Sequence, residues 1–409
     1  VPASAIERRE QAIRSPYPVT WVDFAVGGAN LHGLSDLLES VPGVRVKRYG
    51  GLGAIATPSV RGSGASQVEV FLDGVSMNSA QWGITNLSDL PVQHLDHAEI
   101  YRSGASLASG RIGIGGALHL YSRRADAPRT TFTSSAGSFD TYQNSLFHSR
   151  PVGPAQLLAS YSRTESDGDF TYRYDPGTRF YNESDDSEVR RENNRFHEEG
   201  LLLKLLSPLP GGASIQAQGD WYDRRGGIAG HGNLLFDAAS SEGTRRLTSL
   251  LVNAPPMAGG RFKNEASGYL LARTARFENP LLEKGLSSFP MNHETQASGA
   301  RWSSAYHWIE AGQTMRVFLE RRDERFTPSE DRAGASTRPG AAPPATFARE
   351  RTLSYWGAEN RASFANDRVS LTASVQGQES EDNFHGPVPF GRPPEARDDR
   401  HRSAFTGNA

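Results

Sequence analysis

The chain contains no cysteine, which removes disulfides, zinc–thiolate sites and thiol catalysis from consideration. Nor does it hold an apolar run approaching the about 18 residues of a membrane-spanning helix. That absence leaves a membrane open, because a barrel strand needs only about 9–11 residues of alternating pattern. The opening residues, VPASAIERRE, include no apolar leader segment, so any export signal is expected to have been removed already. Excess charge is missing as well. The 44 Lys and Arg residues stand against 46 Asp and Glu, for a formal net charge of −2. Without a basic stripe, nothing supports nucleic-acid binding.

Catalytic constellations are absent too. No serine, histidine and acid arrangement stands out. His94 and His97 are three apart, but two histidines do not make a metal site. Gly113-Ile114-Gly115-Gly116 is not followed by a helix opening on Lys-Ser/Thr, so it is no phosphate loop. A secreted β-rich carbohydrate enzyme would need paired carboxylates converging in a cleft, and no motif points to them. The chain is expected not to be an enzyme and to hold no resident cofactor.

Turns and half-polar strands are abundant. Apolar residues make up 37%, below the roughly 45–50% of ordinary globular domains. The 42 glycines exceed the average of about 7%. From Pro58 to Arg124 short apolar strands alternate with glycine-marked turns at close intervals, a compact mixed unit rather than a nucleotide-binding βαβ. Residues 1–18 read as a flexible lead. Strands are expected at Val19–Val26, from Val44 to Lys47, from Gln67 to Leu72 before the Asp73-Gly74 turn, from Ala98 to Arg102 and from Ala117 to Ser122. Leu34, Leu37, Leu38 and Val41 have helical spacing, which Ser35 would cap and Pro42-Gly43 would end.

Beyond a short linker at residues 125–129, alternation takes over, in about eleven strands. Ile215, Ala217, Gly219 and Trp221 fall on one face of a strand, with Gln216, Gln218, Asp220 and Tyr222 on the other. Val369, Leu371, Ala373 and Val375 repeat the pattern; Met315, Val317 and Leu319 do so with Phe318 breaking it. One apolar and one polar face suit a wall between two media. Short turns, as at Pro151–Pro154 and Pro208–Gly212, alternate strictly with long polar loops, as at Glu165–Val189 and Arg224–Gly243. Long loops at one end and short turns at the other mark an outer-membrane barrel. A small unit ahead of such a meander suggests a plug inside a barrel.

The chain resembles the TonB-dependent outer-membrane receptors. The likeness rests on Leu34-Ser35-Asp36-Leu37-Leu38, Val41-Pro42-Gly43-Val44, Val60-Arg61-Gly62, the run from Val68 to Val75, and the segments Asp96–Gly104 and Gly113–Leu120. It covers the first unit almost completely and the remainder in pattern only. The implied fold is mainly β, a small mixed α/β plug domain (19–124) followed by antiparallel transmembrane β-barrel strands (130–409). Transporters of this type have about 22 strands around a plugged lumen. About half that number would leave open edges in lipid, so the sequence is expected to be truncated. The energy-coupling segment usual ahead of the plug has no convincing copy in Val1–Arg14, and Ser103-Gly104 departs from the family's more usual glycine directly after the arginine.

The resemblance implies that Arg61 and Arg102, with Glu99 as a third member, latch the plug to the barrel. It also implies that the loop bearing Gln81 and Trp82 is presented upward to a ligand. Gly62, Gly74, Gly104, Gly115 and Gly116 are read as serving backbone geometry, with Asp73 as the turn acid. In the loop Glu165–Val189, Phe170, Tyr172 and Tyr174 alternate, followed by Arg173 and Arg179 among the basic residues, a set suited to a flat or anionic ligand or to a membrane-boundary girdle. Asp167, Asp169, Asp175, Asp185 and Asp186 of that loop offer calcium a weak prospect, since their spacing misses the EF-hand pattern.

What the resemblance implies in function is a receptor in the bacterial outer membrane, a monomer among lipid and lipopolysaccharide. It would bind a scarce nutrient such as a ferric siderophore or cobalamin and import it when TonB and its inner-membrane motor rearrange the plug. The alternative is a signalling receptor, adhesin or passive pore on the same fold.

Overall fold

The computed structural model describes residues 19–24, 33–79, 81–102, 113–125, 127–175, 186–231, 234–283, 285–286, 291–330, 348–364, 369–385 and 400–408. The amino-terminal unit contains β1 (Val19–Asp23), α1 (Leu34–Glu39), β2 (Val44–Arg48), β3 (Ala56–Val60), β4 (Glu69–Leu72), β5 (Val75–Ser76), β6 (Leu95–Tyr101) and β7 (Ala117–Ser122). Five strands form one sheet in the order β1-β6-β7-β4-β5, while β2 and β3 pair separately. The pairing is antiparallel except between β4 and β7.

One face of the five-stranded sheet presents Val70, Leu72, Ala98, Ile100, Leu118 and Leu120, all buried with Leu34 and Leu38 of α1. Each fully buried Leu or Ile contributes about 1.5–3 kcal/mol, which is what a unit of this size needs. Gly33, not Ser35, caps α1: its N–H donates to Asp36 Oδ2 at 2.9 Å. Arg48 then donates to Asp36 (2.6 Å) and Glu39 (2.9 Å), tying β2 to the helix.

The other sheet face is aromatic and polar. Trp21 stacks on His97 (3.7 Å between centroids), and His97 on Tyr121 (4.5 Å). His119 stacks on Phe71 at 4.6 Å. The period-2 alternation of a strand explains both faces from the same residues.

The remainder is dominated by long strands: β8 (Arg129–Gly137), β9 (Thr141–Val152), β10 (Ala155–Ser166), β11 (Thr171–Tyr174), β12 (Ser187–Arg190), β13 (Phe196–Pro208), β14 (Ser214–Gly227), β15 (Gly230–His231), β16 (Leu234–Leu235), β17 (Ser240–Asn253), β18 (Phe262–Glu278), β19 (Met291–Trp308), β20 (Gln313–Glu330), β21 (Ala348–Phe364), β22 (Val369–His385) and β23 (Arg400–Asn408). Twelve of them form one antiparallel wall in chain order; β11–β12 and β15–β16 are separate small hairpins in the long loops. The strand absent from the sequence count comes from residues 129–152, which fold as two strands around a tight turn. Phe139 (φ 62°) and Asp140 (φ 51°) supply that turn. It lies at the long-loop end, so the strict alternation of short and long connections fails there.

The wall is apolar outside and polar inside. Leu203, Leu250, Leu270, Leu319 and Leu371 are exposed on its outer side, whereas Lys204, Asp220, Arg245, Glu320 and Arg322 are buried. The break at Phe318 resolves inward, where Phe318 packs with Leu353 and Tyr355. Leu247, Leu271 and Ala297 of the wall join the core of the amino-terminal unit. The unit is therefore seated against the inner side of the wall, and one continuous core spans both.

Candidate functional site: the plug–wall seam and its apex cavity

Inward side chains from β10, β13, β14, β17, β18 and β20 meet the amino-terminal unit. At one end Lys204 Nζ lies 3.3 Å from Asp73 Oδ2, with both side chains nearly buried. Asp73 sits at φ 47° in the β4–β5 turn, beside Gly74 at φ 82°, the left-handed pair that a tight hairpin demands. Its carboxylate also accepts from Ser122 N at 3.0 Å and from the Ser122 hydroxyl. Burial opposes ionisation of Asp73, but the Lys204 ammonium and Ser122 outweigh it and hold the carboxyl below its ordinary range.

Further along, Asp220 pairs with Arg245 at 2.7 Å and stands 3.9 Å from His94 Nδ1. His94 Nε2 is 3.2 Å from Ser162 Oγ. Arg245 also donates to the Asp89 carbonyl. Arg224 pairs with the Asp89 carboxylate at 2.7 Å, and Tyr222 donates to the Ser88 carbonyl at 2.9 Å. Arg273 reaches the Met77 carbonyl at 2.7 Å, and Arg322 reaches that of Asn78 at 3.4 Å. The cations thus come from the wall and the acceptors from the plug, mostly from the irregular stretch 77–90.

Among the described residues, none of the three expected latch residues forms an ion pair with the wall. Arg61 is exposed at φ 51°, and among the described residues no ion pair to the wall forms there. Arg102 donates to Thr20 Oγ1 and to the Pro42 carbonyl, each at 2.7 Å, and so fastens β1 to the turn after α1 within the plug. Glu99 accepts from Tyr101 (2.8 Å) and Tyr121 (3.2 Å), both also in the plug. Arg102 and Glu99 thus find their partners within the plug itself. The residues that do cross the seam left a trace in the sequence, since Lys204 interrupts the apolar run Leu201–Leu206 and Arg245 sits at an inward position of its strand.

Among the glycines, Gly116 (φ 110°) leaves no room for a Cβ, which would stand 2.5 Å from the Tyr101 carbonyl oxygen. Gly115 is similarly confined by Ser63 Oγ at 2.5 Å. Gly62 lies at φ 78° in the turn after β3. Gly104 and Arg179 lie outside the described residues.

A cavity of about 240 Å³ opens between the plug stretch 77–90 and β14, β17, β18, β19 and β20. Gln81 and Trp82 line it on the plug side; Arg224, Arg245, Arg273 and Phe326 line it on the wall side. Trp82 is 67% exposed, leaving its indole face open to a ligand. Phe170, Tyr172, Arg173 and Tyr174 lie elsewhere, at the β11–β12 hairpin. There Phe139, Phe170 and Tyr172 form an aromatic row (5.4 and 5.9 Å between centroids), with Arg191 over the Tyr172 ring at 5.6 Å. Among the described acids of this hairpin, Asp167 meets Arg195 (3.0 Å), Asp186 meets Arg173 (2.8 Å) and Asp169 meets Arg190, while Asp185 lies outside the described residues. Among the described residues no group of three or more metal-ligating side chains forms.

Comparison with known proteins agrees with this geometry. Residues 15–117 match the family described as TonB-dependent Receptor Plug Domain. That stretch is a plug domain of the TonB-dependent receptor type. The vitamin B12 transporter BtuB of Vibrio cholerae serotype O1 is 29% identical over 161 residues, which cover 39% of this chain and 26% of that protein. Two solved structures share the fold over nearly the whole chain. The ferric citrate transporter FecA in its unliganded form aligns at TM-score 0.71 and 14% identity, covering 98% of this chain and 60% of its own. The copper transporter OprC aligns at TM-score 0.73 and 15% identity, covering 96% and 59%. The chain therefore spans about three-fifths of those solved structures and about a quarter of that transporter. Members of this family are receptors and transporters built as outer-membrane β-barrels.

Proposed function

We propose that this receptor resides in the bacterial outer membrane, takes a scarce nutrient at the apex cavity and imports it when TonB draws on the plug. Residues 19–124 act as the plug, 130–409 as the first part of the barrel, and 1–18 lead into them. The observation that carries the reading is the seam itself. A plug held to a polar inner wall by ion pairs and hydrogen bonds can be displaced without unfolding the barrel, whose described strands pair with one another and not with the plug. The ligand enters at Trp82 and contacts the same stretch, 77–90, that accepts from Arg224, Arg245, Arg273 and Arg322. Occupancy of the cavity thus bears directly on the bonds that retain the plug. No bond in the ligand is made or broken.

The outer surface supports the placement in lipid, with large apolar side chains such as Leu270 (65% exposed) and Leu371 (60% exposed) directed away from the plug. The test pairs a gene deletion with binding to the purified receptor in detergent, using ferric siderophores and cobalamin. Loss of growth on one iron or cobalt source, together with saturable binding of that compound, is expected. Equally weak responses to every compound, with growth unchanged, would reject import.

A further inference from the structure

The cations of the apex cavity are not all paired in the same way. Arg224 is neutralised by Asp89 at 2.7 Å, and Arg245 by Asp220 at 2.7 Å. Arg273 differs from both. Its guanidinium donates to the Met77 carbonyl (2.7 Å) and to the Met77 sulfur (3.0 Å). Among the described residues it forms no ion pair, and Asp89, Asp220 and Glu324 are engaged by Arg224, Arg245 and Arg322. Arg245 and Arg322 act on it as like charges, more strongly than Asp89 and Glu324 act as opposite ones. Arg273 lines the cavity and still has donor capacity after its bonds to Met77.

A guanidinium in a partly desolvated site without a directly paired acid is a costly arrangement. An incoming oxyanion would relieve it through charge-assisted, bidentate hydrogen bonds, a geometry that guanidinium matches and ammonium does not. The apolar part of the lining sits beside this charge: the open Trp82 indole, and Phe326 with the His293 ring 5.6 Å from it. Ligand pockets that enclose a drug-sized molecule measure about 300–1,000 Å³, more than the about 240 Å³ available. The cavity therefore takes one end of a ligand and leaves the rest outside.

We propose that the apex cavity selects ligands whose inserted end joins an oxyanion to a planar apolar group, and that Arg273 reads the charge. This rests on the apex cavity being the ligand site. The receptor in detergent is titrated calorimetrically with three probes of similar shape: 1-naphthoate, 1-naphthyl phosphate and uncharged 1-naphthamide. At least one anion is expected to bind about tenfold tighter than the amide, a difference of ~1.4 kcal/mol. Arg273→Gln is expected to erase that preference and Arg273→Lys to keep part of it. The stronger anion tells whether carboxylate or phosphate is read. Equal binding of amide and anions to the unaltered receptor overturns charge selection while leaving the cavity as a ligand site. Absence of all binding at millimolar concentration overturns both. Should the glutamine variant fail to assemble, the lysine variant decides: a reduced preference supports Arg273 as the reader, and an undiminished one overturns it.

Discussion

The Asp73 carboxylate and the Lys204 ammonium meet at 3.3 Å across the boundary between plug and wall. Each comes from a segment that would be unremarkable alone: a hairpin turn in one case, an otherwise apolar strand in the other. Together they make a buried pair whose remaining acceptor capacity is met by Ser122. Removing one member strands the other, at about 3–5 kcal/mol. Lys204→Met is therefore expected to loosen the plug, seen as faster proteolysis of residues 19–124 in the folded receptor. Asp73→Asn combined with Lys204→Met should recover much of the loss. Unchanged protease resistance in the single variant would show that the pair does not retain the plug.

Arg61 and Arg245 should behave oppositely. Arg61 is exposed at the β3 turn, and Arg61→Ala is expected to leave outer-membrane permeability to large antibiotics as it was. Arg245 joins Asp220 to the Asp89 carbonyl, and Arg245→Ala is expected to raise that permeability. Sensitisation by the Arg61 variant would return the latch to the position that the motif resemblance implies.

Acid should destabilise the plug through His119. This ring is buried against Phe71 and Tyr101, and its Nε2 has no hydrogen-bond partner. Burial, aided by the Arg301 charge, lowers its pKa to about 3. Its folded value is thus below the unfolded one of about 6.5. The unfolded chain takes up the proton first, so stability is full above about pH 6.5 and falls at up to about 1.4 kcal/mol per unit as pH drops towards the folded value. Asp73, also depressed, adds to the loss below its unfolded value of about 3.9. Denaturation at a series of pH values should show a slope between pH 6 and 4 that His119→Phe flattens. An unchanged slope in that variant would clear His119.

Trp82 and Phe170 separate the two aromatic candidates. Trp82 lines the apex cavity, whereas Phe170 belongs to the row at the β11–β12 hairpin. Trp82→Ala should weaken 1-naphthoate binding by roughly 1 kcal/mol, and Phe170→Ala should not change it. The reverse result would move the ligand site to the hairpin.

Much of the architecture was legible before any coordinates. Alternation in stretches such as Ser214–Tyr222 identifies strands with two unlike faces, because side-chain direction along a strand is purely local. The ordered glycine and apolar motifs of the plug are legible for the same reason, since each encodes a turn or a short strand. Two things escaped at the level of single residues. The β8–β9 turn is built from Phe139 and Asp140 at positive φ, where composition gives only weak warning. Phe318, which broke the outer pattern, packs inward against Leu353 and Tyr355.

The seam was not legible, and the reason is physical. Asp73 and Lys204, Asp89 and Arg224, or Met77 and Arg273 lie far apart along the chain. Which of them meet depends on the register of every strand between them and on how deeply the plug sits. Sequence alone determined that this chain makes a mixed plug followed by strands with one oily and one polar side, because those properties repeat over two to four residues. Only the tertiary structure decided that wall cations clasp plug acceptors, that Arg102 and Glu99 turn inward to their own domain, and that Arg273 faces the apex cavity, because each is a contact between elements that nothing local specifies.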